Sequence, residues 1–145
     1  MDIQEVIKAS KDLGEWAHIA TVSKSGIPYV TPVHPCWEGK VLWIMVGANS
    51  VKSKNIAHFP SVSLHWQVSQ ETGFDSLMIW GQAELFTDID TKKRLWSGVF
   101  DYDLNVFAPN GPENSPETGF ISVNPTKAVI LKEMGIGERL VWRSE

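Results

Sequence analysis

Ser50 and Lys52 are the residues whose types and spacing point most directly to chemistry. They follow an apolar run, residues 41–46, in a segment whose pattern predicts a strand, a polar turn and a short helix. The start of a helix exposes free backbone N–H groups at the positive end of its dipole, which favours an anion. A hydroxyl and a positive charge at this point suit a phosphate monoester. The alternative is that Asn49 or Ser50 only caps the helix.

The other chemistry-bearing side chains form no recognisable catalytic or metal-binding pattern. The four histidines and the single cysteine, Cys36, lack metal-ligand spacings such as HExxH or CxxC. No serine lies in a GxSxG turn, and no pair of carboxylates stands out for acid–base hydrolysis. The sequence therefore predicts no metal site and leaves any catalytic residue unknown.

Composition narrows the class of protein. The 145 residues, 43% hydrophobic and 21% charged, fit one globular domain spanning residues 1–145. The formal net charge of −4 argues against a nucleic-acid backbone or an anionic membrane as partner. No apolar run reaches the roughly 20 residues that cross a bilayer, and a lone cysteine suits a reducing compartment. We therefore expect a cytoplasmic protein that binds neither nucleic acid nor a membrane.

The hydrophobic pattern predicts three helices and about seven strands. A capping box at Asp2 begins the first helix, Ser50 the second, and Asp88 or Asp90 the third, whose basic run 92–94 is expected to be exposed. Strands are predicted over residues 16–23, 27–35, 41–46, 61–67, 76–86, 120–124 and 127–132, with a further short strand at 138–143. Gly81 predicts a bulge in the fifth of these strands. Hairpin spacing with helices at the connections favours a small antiparallel barrel.

Two features predict that another molecule covers some apolar surface. Residues 41–46 are apolar on both strand faces, and the face that does not fill the barrel is most simply covered by a second subunit. Seven tryptophans are also more than one small domain easily buries, so some are expected in a planar-ligand pocket or a subunit interface. We therefore expect a homodimer.

The order of these segments resembles the pyridoxamine-phosphate-oxidase-like, FMN-binding split barrels, and within them the general-stress-protein branch. The resemblance covers nearly the whole chain. It rests on the hairpin 20–33, on the strand containing Leu42-Trp43 with its turn at 50–52, and on the segments 60–64, 81–85, 95–100 and 120–125.

The resemblance implies a fold, a cofactor and a set of binding residues. The implied fold is mainly β: a six- to seven-stranded antiparallel split β-barrel with α-helices and Greek-key connections. The implied cofactor is FMN at a homodimer interface, with its phosphate at the strand-to-helix turn and its ring along the first hairpin. The implied cofactor-binding residues are Thr31, Pro32, Val33, His34, Ser50, Lys52 and Ser76.

Two positions depart from the family pattern. Many relatives carry an arginine between the serine and the lysine, where this chain has Val51, and often a hairpin arginine where it has Thr31. Fewer cations weaken a phosphate site, so FAD or a deazaflavin is an alternative to FMN, with Lys54 a partial substitute for the lost charge. Trp80 has two open roles, packing in the barrel or narrowing the cofactor pocket.

The resemblance implies a flavin-dependent oxidoreductase acting on a small molecule, in which the flavin carries the hydride chemistry. The alternatives are a flavin-binding or stress-response module without turnover, and a deazaflavin or haem binder on the same fold. Pyridoxamine phosphate is disfavoured as the substrate. Its own phosphate needs further cations, and the C-terminal region offers only Arg139 and Arg143.

Overall fold

The structure is a computed structural model that describes all residues, 1–145. The three helices are α1, Ile3–Leu13; α2, Val51–His58; and α3, Ile89–Trp96. The eight strands are β1, Ala17–Val22; β2, Pro28–Val33; β3, Cys36–Glu38; β4, Val41–Gly47; β5, Ser61–Trp66; β6, Ser76–Phe86; β7, Thr118–Leu131; and β8, Arg139–Arg143. None of the three helices combines the length and the apolar character that a transmembrane helix requires.

All strand pairs are antiparallel and belong to one sheet in the order β2-β1-β5-β6-β7-β4-β3. The remaining strand, β8, pairs with the C-terminal part of β7, whereas β4 pairs with its N-terminal part. The two ends of this order, β2 and β3, are not paired with each other, so the barrel is split rather than closed. The predicted antiparallel split barrel with three helices is therefore confirmed.

Local capping residues define the helix starts as predicted. Asp2 and Glu5 form the reciprocal capping box of α1, since each side chain accepts a hydrogen bond from the other residue's backbone N–H. Asp88, the first of the two predicted candidates, caps α3 by accepting from the N–H of Thr91. These caps satisfy backbone donors that have no partner within their helices.

The strand count differs from the prediction in two places. The two strands predicted at 120–124 and 127–132 are one continuous strand, β7, which pairs with β6 from Phe120 to Leu131 apart from the bulge at Thr126. The bulge predicted at Gly81 is present between Trp80 and Gly81 and shifts the register of β6 against β7, so the irregular middle of β7 is accommodated without a break. The short strand β3 was not predicted, because three residues are too few to show an alternating pattern.

The second apolar face of β4 is covered within the chain, and this corrects the prediction that a second subunit covers it. Leu42, Ile44 and Val46 face the barrel core, whereas Trp43 faces a separate aromatic cluster and is only 5% exposed. That second cluster comprises Cys36, Trp43, Leu95, Phe100, Leu104 and Phe120. Helix α3 and the segment after it therefore cover the outer face of the sheet.

The basic run 92–94 is also only partly as predicted. Lys93 and Arg94 are exposed, but Lys92 is 3% exposed and its Nζ donates to the carbonyl oxygen of Ser115 at 2.9 Å. The lysine thus ties α3 to the proline-rich segment before β7. Its burial follows from that long-range packing, which a run of like charges does not reveal.

Candidate functional site

A cavity of about 560 Å³ lies where the end of β2, the turn between β4 and α2, and the segment after α3 meet. This volume is within the range of small-molecule and cofactor sites. Of the predicted cofactor-binding residues, Pro32, Val33, His34 and Lys52 line it. The structure therefore brings the end of the first hairpin and the helix start to one cavity.

The start of α2 lies at one end of the cavity, which Lys52 lines and Ser50 does not. Ser50 is the N-cap, and its hydroxyl oxygen lies 3.3 Å from the N–H of Ser53 and 2.9 Å from the Ser53 hydroxyl. Ser53 in turn donates to the carbonyl oxygen of Gly47 at 2.8 Å, which fixes the turn between β4 and α2. Ser50, rather than Asn49, is therefore the residue that caps α2, and its contact with a cofactor stays a prediction. The N–H groups of Val51 and Lys52, in the first turn, have no partner within the helix.

Lys52 is the only lysine or arginine that lines the cavity. Its side chain is partly buried and takes part in no ion pair or hydrogen bond within the chain. Burial lowers the pKa of Lys52, because the ammonium group has lost water without gaining a counter-ion. Lys54, two residues further along α2, is exposed and does not line the cavity. An anion bound beside Lys52 would supply the missing negative charge.

The end of β2 forms a second wall. Pro32 and Val33 line the cavity, and the neighbouring Thr31 has a buried hydroxyl oxygen with no hydrogen-bond partner. A buried hydroxyl without a partner is uncommon in folded proteins. Thr31 itself does not line the cavity.

Aromatic side chains stack around His34 on the same wall. The ring of Tyr102 lies 4.5 Å from the imidazole and that of Trp16 lies 5.4 Å from it, measured between centroids. Phe107 packs edge-on against Tyr102 at 5.8 Å and also lines the cavity. Burial raises the pKa of the Tyr102 hydroxyl, so that it stays protonated and able to donate a hydrogen bond. The cavity thus has a cationic end and an aromatic side, a combination that suits a planar ligand carrying an anionic group.

Two residues considered from the sequence lie elsewhere. Ser76 begins β6 opposite Leu131 and does not line the cavity, so its contact with a cofactor stays a prediction. Trp80 does not line the cavity either; the amine of Lys127 lies 5.0 Å from its ring centroid. That arrangement supports the packing role of Trp80 within one chain.

Sequence reasoning missed the aromatic residues of the site. Trp16 is far along the chain from Tyr102 and Phe107, and none of the three belongs to a motif. The surplus of tryptophans was the one signal that pointed to them, and Trp16 is indeed 53% exposed beside the cavity. Two carboxylates, Glu15 and Glu117, also line the cavity.

Comparison with known proteins gives the same architecture. A family model described as pyridoxamine 5'-phosphate oxidase matches residues 4–131. A protein from Clostridium acetobutylicum related to general stress protein 26 superposes with a TM-score of 0.77 at 14% identity, covering 99% of this chain and 96% of that one. General stress protein 26 from Bacillus anthracis gives a TM-score of 0.69 at 20% identity, covering 98% and 100%.

A third similar structure is that of a protein named for the cofactor it binds. It is a pyridoxamine 5'-phosphate oxidase-related, FMN-binding protein from Nostoc punctiforme, with a TM-score of 0.71 at 16% identity, covering 99% of this chain and 89% of that one. A search of curated protein sequences finds no match. At these identities the structural likeness shows the fold, and the family model covers most of the sequence. The chain therefore belongs to the pyridoxamine 5'-phosphate oxidase family.

Proposed function

We propose that this protein binds FMN in the cavity between β2 and α2. The observation that carries the proposal is Lys52, a partly buried and unpaired cation in the first turn of a helix that opens on the cavity. Free N–H groups, the helix dipole and a lysine together favour a phosphate. The FMN-binding description of the Nostoc punctiforme structure supports the same ligand class.

The planar part of the ligand would lie along β2. Pro32 and Val33 offer apolar contact there, and Tyr102 and Trp16, which both pack against His34, offer aromatic surface. Thr31, whose buried hydroxyl has no hydrogen-bond partner, lies on the same strand, β2, along which we propose that the flavin ring binds.

We further propose that the protein is an oxidoreductase. A bound flavin supplies hydride transfer, and the protein contributes binding, orientation and exclusion of water. The residues of the cavity support that division: Lys52 would hold the anionic end of the ligand, and aromatic and apolar groups form much of the remaining lining, beside the carboxylates of Glu15 and Glu117. A substrate with a second phosphate is disfavoured, because Arg139 and Arg143 lie on β8 and do not line the cavity.

We also propose a homodimer with the cofactor at the subunit interface. Although β4 is covered within the chain, the rim of the cavity is not: Trp16 and Phe107 line it and are largely exposed, and the adjacent Val106 is 72% exposed. Large apolar side chains exposed together mark interaction surfaces. A second copy placed over this rim would bury them and close the cavity.

The visible spectrum of freshly purified protein tests the ligand. Oxidised-flavin bands, or their appearance on titration of FMN with saturation at one per chain, are the expected result. Haem or deazaflavin bands in place of them, or no saturable FMN binding, would contradict the proposal. Anaerobic bleaching of bound flavin by NADH or NADPH then separates an oxidoreductase from a module that binds without turnover.

A further inference from the structure

Three side chains with metal-ligating atoms converge beside the proposed flavin site. The Nε2 atom of His34 lies 3.0 Å from Oδ1 of Asp101, and Sγ of Cys36 lies 3.5 Å from the same oxygen. One ligand atom from each residue lies within 4.8 Å of the other two. The sequence shows no such group, because Asp101 is 65 residues from Cys36.

These residues line a second cavity, of about 440 Å³, which shares His34 with the proposed flavin cavity. It lies between the end of α1, the short strand β3 and the segment after α3. Only His34 and Glu15 line both cavities. Cys36 and Asp101 belong to the second cavity alone, so the cluster can be tested separately from flavin binding.

We propose that His34, Cys36 and Asp101 bind a divalent transition-metal ion, with Zn²⁺ the best match, and leave a fourth position open to the second cavity. Zinc takes nitrogen, thiolate and carboxylate ligands together, and three protein ligands with one free position are typical of catalytic zinc. Tetrahedral Zn–S and Zn–N or Zn–O bonds of about 2.3 and 2.0 Å place ligand atoms roughly 3.3–3.6 Å apart. The Cys36–Asp101 separation of 3.5 Å lies within that range, and the His34–Asp101 separation of 3.0 Å is about 0.3 Å below it, so a bound ion would need the two ligand atoms to move slightly apart. A sulfur ligand disfavours Mg²⁺ and Ca²⁺, which take oxygen ligands.

The backbone and the neighbouring rings hold these ligands in place. Pro35 stands between His34 and Cys36, and its ring fixes one backbone torsion and keeps the preceding residue extended. Trp16 and Tyr102 pack against the imidazole, and Cys36 is buried in the aromatic cluster. Asp101 is the exposed member, with its side chain 65% exposed, so little packing opposes a change of its rotamer around a bound ion. Packed surroundings that orient ligands are a usual property of metal sites.

Binding of Co²⁺, a spectroscopic substitute for zinc, to purified protein stripped of metal and flavin is the direct test. We expect one Co²⁺ per chain, with the visible bands of a tetrahedral ion and a near-ultraviolet thiolate-to-cobalt charge-transfer band, both displaced by Zn²⁺. Cys36→Ser should abolish the charge-transfer band. Asp101→Asn should raise the dissociation constant at least about tenfold, since even outer partners of metal ligands contribute roughly 10–100-fold.

Matched control variants remove a carboxylate or an imidazole from positions outside the proposed metal site. Asp90→Asn on α3 and His58→Gln at the end of α2, both at exposed positions, should bind Co²⁺ as the wild type does. Absence of stoichiometric Co²⁺ binding by the wild type, a spectrum without the thiolate band, or equal affinity for Asp101→Asn and the wild type would each overturn the proposal. Because Asp101 is exposed, its variant should fold even where Cys36→Ser does not. The assay contains no flavin, so its result does not depend on FMN binding.

Discussion

At the scale of single residues, Lys52 carries the greatest weight, because it is the only lysine or arginine in the flavin cavity. We predict that Lys52→Ala weakens FMN binding roughly ten- to a hundredfold. A charge-assisted contact to phosphate contributes about 1.5–3 kcal/mol, which corresponds to that range. Lys54→Ala is the matched control, since it removes the same group from an exposed position outside the cavity. Fluorescence quenching measures both dissociation constants.

Riboflavin and pH provide two further checks on this lysine. Riboflavin lacks the phosphate, so it should bind the wild type and Lys52→Ala equally; an equal loss for both flavins would place the phosphate elsewhere. Burial lowers the pKa of Lys52, and the protonated form binds phosphate. FMN affinity should therefore be highest below that pKa and decline as pH rises through it. The decline should begin at a lower pH than an ordinary lysine would give, and be absent in Lys52→Ala.

At the scale of the elements, the β6–β7 pair depends on Gly81. A Cβ atom at this position would lie 2.5 Å from the carbonyl oxygen of Asn124 and 2.8 Å from a Val123 methyl group. Because one of these atoms belongs to the backbone, relief requires β7 to move. We predict that Gly81→Ala lowers the free energy of unfolding by about 1–3 kcal/mol, the usual cost of overpacking. Denaturant unfolding at equilibrium measures it.

Gly47→Ala in β4 is the control for this prediction. Its Cβ would meet nothing closer than 3.6 Å, so the change should cost little. Equal free energies of unfolding for the Gly81 and Gly47 variants would contradict the prediction. They would show that β7 can move away from a side chain at position 81 at little cost.

At the scale of the whole molecule, the exposed rim of the cavity predicts a dimer. Light scattering at low micromolar concentration should give about 32 kDa, twice the 16.2 kDa of one chain. We predict that Phe107→Asp yields monomers, because a second copy would bury an unpaired charge there. Ile136→Asp, at an exposed position that lines neither cavity, should leave the dimer intact. A wild-type mass near 16 kDa would contradict both the proposed dimer and the proposed location of the cofactor at its interface.

The local features of this protein could be predicted from its amino-acid sequence. The caps at Asp2, Ser50 and Asp88, the start of β6 and the bulge at Gly81 were all predicted, because each depends on neighbouring residues and on backbone geometry. The strand-to-helix turn at Lys52 was found for the same reason. The order of these features along the chain was enough to indicate the split barrel and its family.

Contacts between residues that are distant in the chain could be seen only in the folded protein. It covers Trp43 with α3, buries Lys92 against Ser115 and brings Asp101 to His34 and Cys36. It also surrounds the cavity with aromatic rings from unrelated segments. No sequence pattern predicts these contacts. Which residues pack on a given face of the sheet depends on the path of the whole chain, not on the neighbouring residues. The periodicity of β4 shows that both its faces are apolar, but not whether the chain itself or a second copy covers the outer one.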